Sequence, residues 1–404
     1  MRLFAAAAIA LAAAAGGAQA AGTVTIGAIY PLSHDDGARA AIETAADIIN
    51  APHAGLEKLP LGAGRGLSRL GAKLAVAFAD DLDNPSVALG QALRLATREH
   101  VAALIGGGGA AETLAASALA ERHGVPFLVP DTTAPAVTGR GFNWVFRTTP
   151  LAGDIARAYA QFLTAPKPDG SKIGSVALVF EDSDFGRIEA GALRDALKAA
   201  ELAVSDIAYP AGATDLAAPV ARLRGEKPDA VIFVSRAAEA ILFAKTMKNA
   251  GYKPPVEIGD DAGFSGADFV AAAGNLAQGM IERSVWSAGK PGSAAAVAND
   301  LYKAKSGSDL DDTSARIMQG VFVLADAIDR AGSTDPEAIR AALRATDLAT
   351  DRLIVGYDGV KFDASGQNTL AATYLTQLQG KEYVTVWPPD RAAGKLALPF
   401  KGWE

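Results

Sequence analysis

The chain has 404 residues, of which half are hydrophobic, and it carries a formal net charge of −7 and no cysteine. This length is sufficient for a globular protein of two domains. The negative charge argues against a nucleic-acid partner. The lack of cysteine excludes both disulfide bonds and a lipid anchor attached through cysteine.

Residues 1–20 have the features of a secretory signal peptide rather than of a folded element. Arg2 supplies a short basic head, residues 3–15 form an apolar stretch, and Ala18-Gln19-Ala20 is a small-residue cleavage site. No later run is long and apolar enough to span a membrane. We therefore expect cleavage after Ala20 and export without an anchor, to a bacterial periplasm.

Apolar runs and amphipathic stretches alternate along the first hundred residues after this segment. The alternation predicts a parallel sheet with helices on both faces. Residues 52–71 are rich in Gly and Pro and predict a surface insertion. Asn84 or Asp83 is expected to cap a helix that has Pro85 in its first turn. The other elements predicted here are strand 23–30, loop 33–37, helix 38–50 and strand 73–78.

Four consecutive glycines at 106–109 separate an apolar strand, 101–105, from a helix that Glu112 and Thr113 are expected to open. Glycine has no side chain, so the backbone N–H groups of such a loop can approach a ligand closely. The unpaired N–H groups and the dipole at the start of the following helix attract an anion. This segment therefore predicts a site for a negatively charged group.

The next strand along the chain ends in a polar corner formed by Asp131, Thr132 and Thr133. The glycine loop and this corner both lie at the carboxyl ends of neighbouring strands, where open α/β sheets bind ligands. We interpret the two together as one wall of a small-molecule site that accepts a carboxylate.

The glycine loop allows two other interpretations. One is that the glycines form only a tight turn, although four in succession exceed what a turn needs. The other is a dinucleotide site, because Asp131 follows Gly106, Gly108 and Ala111 at about 20 residues. That motif normally opens a domain at its first strand, whereas two predicted strands precede this one, and an exported protein lacks a nucleotide supply. We therefore favour the carboxylate site.

A second series of strands and helices begins after Pro150, and a third, less regular part begins near residue 279. Two series predict two lobes, and a chain that crosses between lobes more than once forms a hinge about which they close on a ligand. The predicted elements are helix 152–164, strand 175–180, helix 187–200, strand 204–209, helix 216–224, strand 230–234, helix 237–250, strand 256–259, strand 279–286, helices 292–304, 313–331 and 336–345, a hairpin within 356–366, and an antiparallel pair at 374–379 and 383–387.

Nine short motifs follow one another in an order that resembles a known family. They are IGAIYPLS at 26–33, DDLDNP at 80–85, LIGGGGAAET at 104–113, PDTTAP at 130–135, FRTT at 146–149, FG at 185–186, PVARL at 219–223, NAG at 249–251 and FDASG at 362–366. The family is that of the periplasmic solute-binding proteins of branched-chain amino acid (leucine/isoleucine/valine) ABC transporters.

The resemblance implies the α/β fold of a type I periplasmic binding protein, with two doubly wound parallel-sheet lobes joined by a three-strand hinge. The first lobe is expected to contain residues 21–148 and 287–358. The second lobe is expected to contain residues 149–286 and 359–404.

The resemblance also implies which positions of the first lobe contact the solute. In the family, the loop matching Ala110 and Ala111 receives the solute carboxylate through a serine hydroxyl and backbone N–H groups. Ala110 stands at the serine position, so only backbone donors remain here. The corner matching Asp131, Thr132 and Thr133 holds both ends of the amino acid. Thr133 fits the family threonine, whereas Asp131 replaces a small residue and is expected either to face the solute or to cap the next turn.

From the rest of the chain the resemblance implies Phe185 as an aromatic lid, Arg236 at a family tyrosine, and Asp261 at a family acid that pairs with the solute ammonium. The first loop is shorter than in the family, lacks its aromatic residue and contributes His34. Arg236 suits a carboxylate through its planar fork. The equally weighted alternative is that Arg236 pairs with Asp260 or Asp261 at a structural corner.

The expected function is high-affinity capture of a small carboxylate-bearing solute, either an amino acid or a related organic or aromatic acid. Lobe closure would trap the solute for delivery to the permease subunits of an ABC importer. The alternative is a ligand-sensing receptor of the same fold that docks on a signalling partner. The sequence contains no Gly-x-Ser-x-Gly, His-Glu-x-x-His or Walker motif. We therefore expect no enzyme activity, no cofactor and no metal, in a monomer.

Overall fold

The structure is a computed structural model that describes residues 22–33, 36–260, 263–264, 267–380 and 382–402. The predicted signal peptide, His34 and Asp261 lie outside the described residues. Within the described residues, no helix is long and apolar enough to cross a membrane.

The first sheet has five described strands, all parallel, in the order β2-β1-β3-β4-β5. Strands β3, β4 and β5 are buried on both faces, as a parallel sheet covered by helices requires, whereas the edge strand β2 is only half-buried. Ile26 and Ile105 face one core, and Ile29 and Leu104 face the other. The elements are β1 Gly22–Tyr30, α1 Asp36–Asn50, β2 Ala72–Asp80, α2 Pro85–Thr97, β3 Ala103–Gly106, α3 Ala110–His123, β4 Phe127–Val129 and β5 Val145–Arg147.

The second sheet has seven described strands in the order β14-β13-β10-β9-β8-β6-β7. Strands β6 to β10 run parallel, and β13 and β14 add an antiparallel edge beside β10. The elements are α4 Ala152–Thr164, β6 Ser175–Glu181, α5 Asp184–Ala199, β7 Ala203–Tyr209, α6 Ala217–Glu226, β8 Ala230–Val234, α7 Ala237–Asn249, β9 Val256–Asp260, α8 Ala267–Ala273 and β10 Ile281–Ser284, followed later by β13 Tyr374–Gln379 and β14 Glu382–Trp387.

The chain returns to the first sheet between β10 and β13. Helix α10 is buried along most of its length under that sheet, and its N-cap is Asp311, whose carboxylate accepts the N–H of Ser314. This is the side-chain cap expected at a helix start. The elements are α9 Ala294–Ser306, α10 Asp312–Ala331, α11 Pro336–Arg344, β11 Asp347–Ala349 and β12 Gly359–Lys361.

These elements confirm the predicted α/β fold with two parallel-sheet lobes. The chain passes from the first sheet to the second between Arg147 and Ala152, and back after Ser284. The sequence placed the third crossing at 358/359, yet β12 pairs with β11, and Phe362 packs in the core of the first lobe. We therefore propose that the third crossing lies between Phe362 and Tyr374, where β13 begins.

Two expectations about local structure are wrong. The Gly- and Pro-rich segment 52–71 is not a surface insertion, because Leu56, Leu59 and Leu67 are buried in the core of the first lobe. The hairpin expected within 356–366 is misplaced: β12 pairs with β11, and the antiparallel turn closes farther along, where Phe362 bridges Asn368. Both errors arise because composition indicates turns but does not show what the intervening apolar side chains contact.

Candidate functional site

A cavity of about 460 Å³ lies between the two lobes, which we call the interlobe cavity. The first lobe supplies loops at the carboxyl ends of β1, β3 and β4, and the second lobe supplies the N-terminal turns of α5 and α7. The lining residues are Pro31, Asp83, Gly108, Gly109, Ala110, Asp131, Thr132, Thr133, Ala134, Phe185, Ile188, Glu189, Ser235, Arg236, Ala237, Gly263, Thr313 and Arg316.

The glycine loop of the first lobe is shaped by the carboxylate of Asp131. The N–H of Gly108 donates to Asp131 Oδ2 at 3.0 Å. A Cβ atom built on Gly107 would lie 1.5 Å from Asp131 Oδ1, so this position admits no side chain while the carboxylate stays in place. Part of the anion-binding capacity predicted for the loop is therefore used by an acid of the chain itself.

The start of helix α3 retains open donors beside this loop. The amides of Ala110 and Ala111 make no hydrogen bond to another residue that the structure describes. Ala110 lines the interlobe cavity, whereas Ala111 does not. The first turn of a helix leaves such N–H groups unpaired, and the helix dipole makes their surroundings favourable to negative charge.

The corner after β4 contributes two threonine hydroxyls that are engaged within the protein. Thr132 Oγ1 lies 3.1 Å from Thr113 Oγ1, and the two hydroxyls share a hydrogen bond. Thr133 donates its hydroxyl to the carboxylate of Glu189, which comes from helix α5 of the opposite lobe. The two lobes are therefore in direct contact across the interlobe cavity.

Helix α5 presents the second wall. Ser183 caps it by accepting the N–H of Gly186 at 3.1 Å, which fixes the first turn. Phe185, Ile188 and Glu189 line the cavity from this turn and the next. Because residues four apart share a helix face, Phe185 and Glu189 point to the same side.

Arg236 stands at the N-terminal cap of helix α7. Its Nε lies 3.4 Å from Oε1 of Glu181, whose side chain is buried, whereas the Arg236 side chain is 67% exposed. The guanidinium also lies 6.0 Å from the ring centre of Phe185, at the outer limit of a cation–π contact. One edge of the Arg236 guanidinium therefore contacts Glu181, and the other edge is exposed to the cavity.

The proposed pairing of Arg236 with Asp260 is wrong. Asp260 pairs with Arg283 at 2.7 Å, and both side chains are buried. It also accepts the hydroxyl of Tyr159 at 3.0 Å, and burial raises the pKa of that tyrosine well above its usual value. The acid predicted next to it, Asp261, lies outside the described residues.

Helix α10 reaches the cavity through Thr313 and Arg316, which sequence reasoning missed. The Arg316 side chain is only 2% exposed and its Nε lies 2.9 Å from Asp312 Oδ2. The signal in the sequence was an Asp and an Arg four residues apart at the start of a long apolar helix. That spacing usually marks a surface ion pair, so it gave no reason to expect a cavity.

The described lining carries three acids, Asp83, Asp131 and Glu189, and two arginines, Arg236 and Arg316. Asp81 lies two residues before Asp83, and burial raises its pKa to about 6. The nearby carboxylates of Asp83 and Glu112 also raise this pKa. The cavity therefore offers both positive and negative groups, and suits a small solute that has a charge of each sign or a carboxylate beside hydroxyl groups.

Among the predicted site residues, the structure brings six to this cavity: Ala110, Asp131, Thr132, Thr133, Phe185 and Arg236. Ala111 lies at the same helix end behind Ala110. Glu189 and Ser235 were not predicted. Glu189 was detectable in principle, because it follows Phe185 by one helical turn.

Three comparisons place the chain among known proteins. The profile of the family described as "Periplasmic binding protein" matches residues 23–382. A Leu/Ile/Val-binding protein homolog 8 from Brucella abortus is 32% identical over 394 residues, which cover 92% of each chain.

Two solved structures have the same fold. A leucine-binding protein LivK from Thermotoga maritima superimposes with a TM-score of 0.74 at 21% identity, covering 91% of this chain and 99% of its own. A solute-binding protein of an ABC transporter from R. palustris, in complex with benzoate, gives 0.74 at 21% identity, with 90% and 96% covered. The chain therefore belongs to the periplasmic binding protein family, among the substrate-binding proteins of the branched-chain amino acid ABC transporters.

Proposed function

We propose that the protein captures a small carboxylate-bearing solute in the interlobe cavity and delivers it to the permease of an ABC importer. The observation that supports this proposal is a cavity of about 460 Å³ that has unpaired amides of a helix start on one wall and an arginine on the other. This volume is in the range of pockets that enclose small molecules. The solute class includes amino acids and aromatic acids.

Two groups on opposite lobes can meet the carboxylate. The amide of Ala110 lies on the cavity wall and is unpaired among the described residues, as is that of Ala111 in the same helix turn. One edge of the Arg236 guanidinium is exposed on the opposite wall. Arginine binds a carboxylate through two parallel N–H donors, which makes such contacts short and directional. A carboxylate held between the two walls would join the lobes and favour the closed arrangement.

The acids of the cavity support a second contact. Asp131 and Glu189 lie on the same cavity as Arg236, so an amino group of an amino acid, or ring hydroxyls of an aromatic acid, would find acceptors there. The structurally similar proteins support both classes, since one is named as leucine-binding and another was solved with benzoate. Because the chain belongs to the periplasmic binding protein family, we also propose that the signal peptide is cleaved after Ala20 and that the protein is exported.

Thermal unfolding in the presence of matched solute pairs tests this proposal. The probes are leucine, isoleucine, valine, benzoate and 3,4-dihydroxybenzoate, each beside its carboxamide. A solute that binds only the folded state raises the unfolding temperature. We expect at least one carboxylate to raise it in a concentration-dependent manner and its carboxamide to have no effect. Equal effects of acid and amide, or none from any carboxylate, would contradict the proposal.

A further inference from the structure

The Arg316–Asp312 ion pair lies where the segments that cross between the lobes come together. Both side chains are almost completely buried, and the pair lies at the start of helix α10 in the first lobe. Arg316 also lines the interlobe cavity. This ion pair is therefore in contact with both the interlobe cavity and the hinge.

Arg316 binds the first crossing segment and the cavity corner with the same nitrogen. Its Nη1 donates to the backbone carbonyl of Asp131 at 3.0 Å and to Thr149 Oγ1 at 3.2 Å. Asp131 is in the corner that lines the cavity, whereas Thr149 lies between β5 and α4, in the first crossing. A single planar group therefore contacts both the cavity corner and the first crossing.

Asp312 binds the second crossing segment. Its Oδ1 accepts the N–H of Val285 at 2.7 Å and the hydroxyl of Ser284 at 3.0 Å, while its Oδ2 faces Arg316. Ser284 is the last residue of β10, where the chain leaves the second sheet. The carboxylate therefore joins the exit from the second lobe to the helix of the first.

The third crossing segment is attached through the first. The carbonyl of Thr149 accepts from Gln367 Nε2 at 2.8 Å, and the carbonyl of Thr148 accepts from Asn368 Nδ2 at 3.0 Å. The first and third crossings are thus hydrogen-bonded to each other, and Thr149 connects them to Arg316. The second crossing is connected to Arg316 through Asp312.

We propose that Arg316 is a positioning residue that couples the interlobe cavity to the hinge. Its planar fork holds Asp131, Thr149 and Asp312 in fixed relative positions, which favours the arrangement in which the lobes meet across the cavity. A lysine keeps the charge but is a point donor on a flexible stem, so it cannot hold the three groups together. This inference depends on the proposed lobe closure but not on the identity of the solute.

The same helix supplies a matched control. Arg330 and Asp326 are also four residues apart on α10, and Arg330 Nε lies 2.7 Å from Asp326 Oδ2. Arg330 makes two more hydrogen bonds, to Ala342 and Thr346, but both partners are in the first lobe. Arg330→Lys therefore removes a comparable fork from the same helix without touching a crossing segment.

Single-molecule energy transfer between the lobes, without any solute, tests the proposal. The chain has no cysteine, so Ser86→Cys in the first lobe and Lys198→Cys in the second, both exposed, give one dye pair. We expect Arg316→Lys to lower the ratio of molecules with the lobes together to molecules with the lobes apart by roughly three- to tenfold, the effect of one or two lost hydrogen bonds. Arg330→Lys is expected to leave that ratio unchanged.

Two milder variants keep the test valid even where Arg316→Lys impairs folding. Thr149→Val and Ser284→Ala each remove one hydroxyl contact to the pair without leaving a buried charge, and we expect each to shift that ratio about twofold in the same direction. Unchanged distributions in both variants, or an equal shift in Arg330→Lys, would overturn the proposal. Because no solute is present, this result is independent of whether any carboxylate binds.

Discussion

The two walls of the interlobe cavity present chemically different groups. The wall from the first lobe presents backbone amides and short hydroxyls, at Gly108, Ala110 and Thr132, beside the charged side chains of Asp83, Asp131 and the buried Arg316. The wall from the second lobe consists of long side chains, Glu189 and Arg236, at helix starts. Backbone donors are altered only by steric changes, whereas side chains can be exchanged one at a time, so the second wall is the natural place to set selectivity.

Acids that line the cavity differ in their hydrogen bonding from Glu257, an acid buried elsewhere in the second lobe. Glu189 accepts the hydroxyl of Thr133, and Asp131 accepts the N–H of Gly108. Glu257 on β9 is buried, and its side chain makes no hydrogen bond to any residue that the structure describes. Burial raises its pKa to about 8.

The largest effect is expected from Glu257→Gln. Glu257 keeps its proton in the folded state up to about pH 8 but loses it near pH 4.5 when unfolded. The unfolded state thus binds fewer protons in this window, so the free energy of unfolding falls as the pH rises through it. Gln has no proton to lose, and one pKa unit corresponds to about 1.4 kcal/mol. We expect the variant to be more stable than the parent by about 2 kcal/mol or more at pH 9.

Urea unfolding of both chains between pH 4 and pH 9 measures this difference. At pH 4 both chains carry a neutral group at this position, so that measurement is the internal control for packing effects of the amide. A stability difference that stays constant across the whole range would contradict the assigned role of ionisation.

The second largest effect on stability is expected from Gly107→Ala, which adds a Cβ atom to the first wall. The new Cβ would meet the carboxylate of Asp131 at 1.5 Å, and overpacking of this kind costs about 1–3 kcal/mol. The cost is expected to shrink in the background Asp131→Ala, where the carboxylate is gone. A double-mutant cycle of thermal unfolding measures the coupling.

Gly90→Ala is the control for this prediction. Gly90 lies in helix α2 with no atom within 4 Å of its would-be Cβ, so alanine there is expected to be neutral or slightly stabilising. A loss from Gly107→Ala that is the same with and without Asp131→Ala would show that the loop itself, rather than the carboxylate, excludes a side chain.

The first wall was largely predictable from sequence because its features are local. Four glycines before a helix, and a strand ending in a polar corner, each depend on neighbouring residues, and the cap at Asn84 does too: its Oδ1 accepts from Ser86 and Val87. The same local logic gave most helices and strands of both lobes within a few residues, including α4 at 152–164.

The groups that the sequence did not reveal depend on contacts between distant segments. Arg316 reaches the cavity only because α10 returns under the first sheet after the chain has built most of the second. Glu189 is 56 residues from its partner Thr133. The hydrogen bond from the Gly108 N–H to the Asp131 carboxylate joins positions 23 residues apart. Helical spacing from Phe185 could place Glu189 on the cavity side of α5, but no periodicity or motif encodes its pairing with Thr133 or the other two contacts, since each follows from how whole elements pack.

The smallest effect on stability, and the most informative for the second wall, is expected from Arg236→Ala. The side chain is 67% exposed and its contact with Glu181 is long, so the free energy of unfolding is expected to change by less than about 0.5 kcal/mol. A hydrogen-bonded contact with a carboxylate is worth about 1.5–3 kcal/mol, so affinity for the carboxylate identified by thermal unfolding is expected to fall roughly 10- to 100-fold.

Isothermal titration of that carboxylate into the parent, Arg236→Ala and Arg236→Lys measures the loss, and the lysine variant is expected to fall between the other two because it keeps the charge without the fork. Arg222→Ala is the control, since Arg222 is similarly exposed, pairs with Glu226 on helix α6 and does not line the cavity. An affinity unchanged in Arg236→Ala would remove this residue from the site. The carboxylate would then rest on the backbone amides of Ala110 and Ala111 alone, and selectivity would have to come from Glu189 and Asp131.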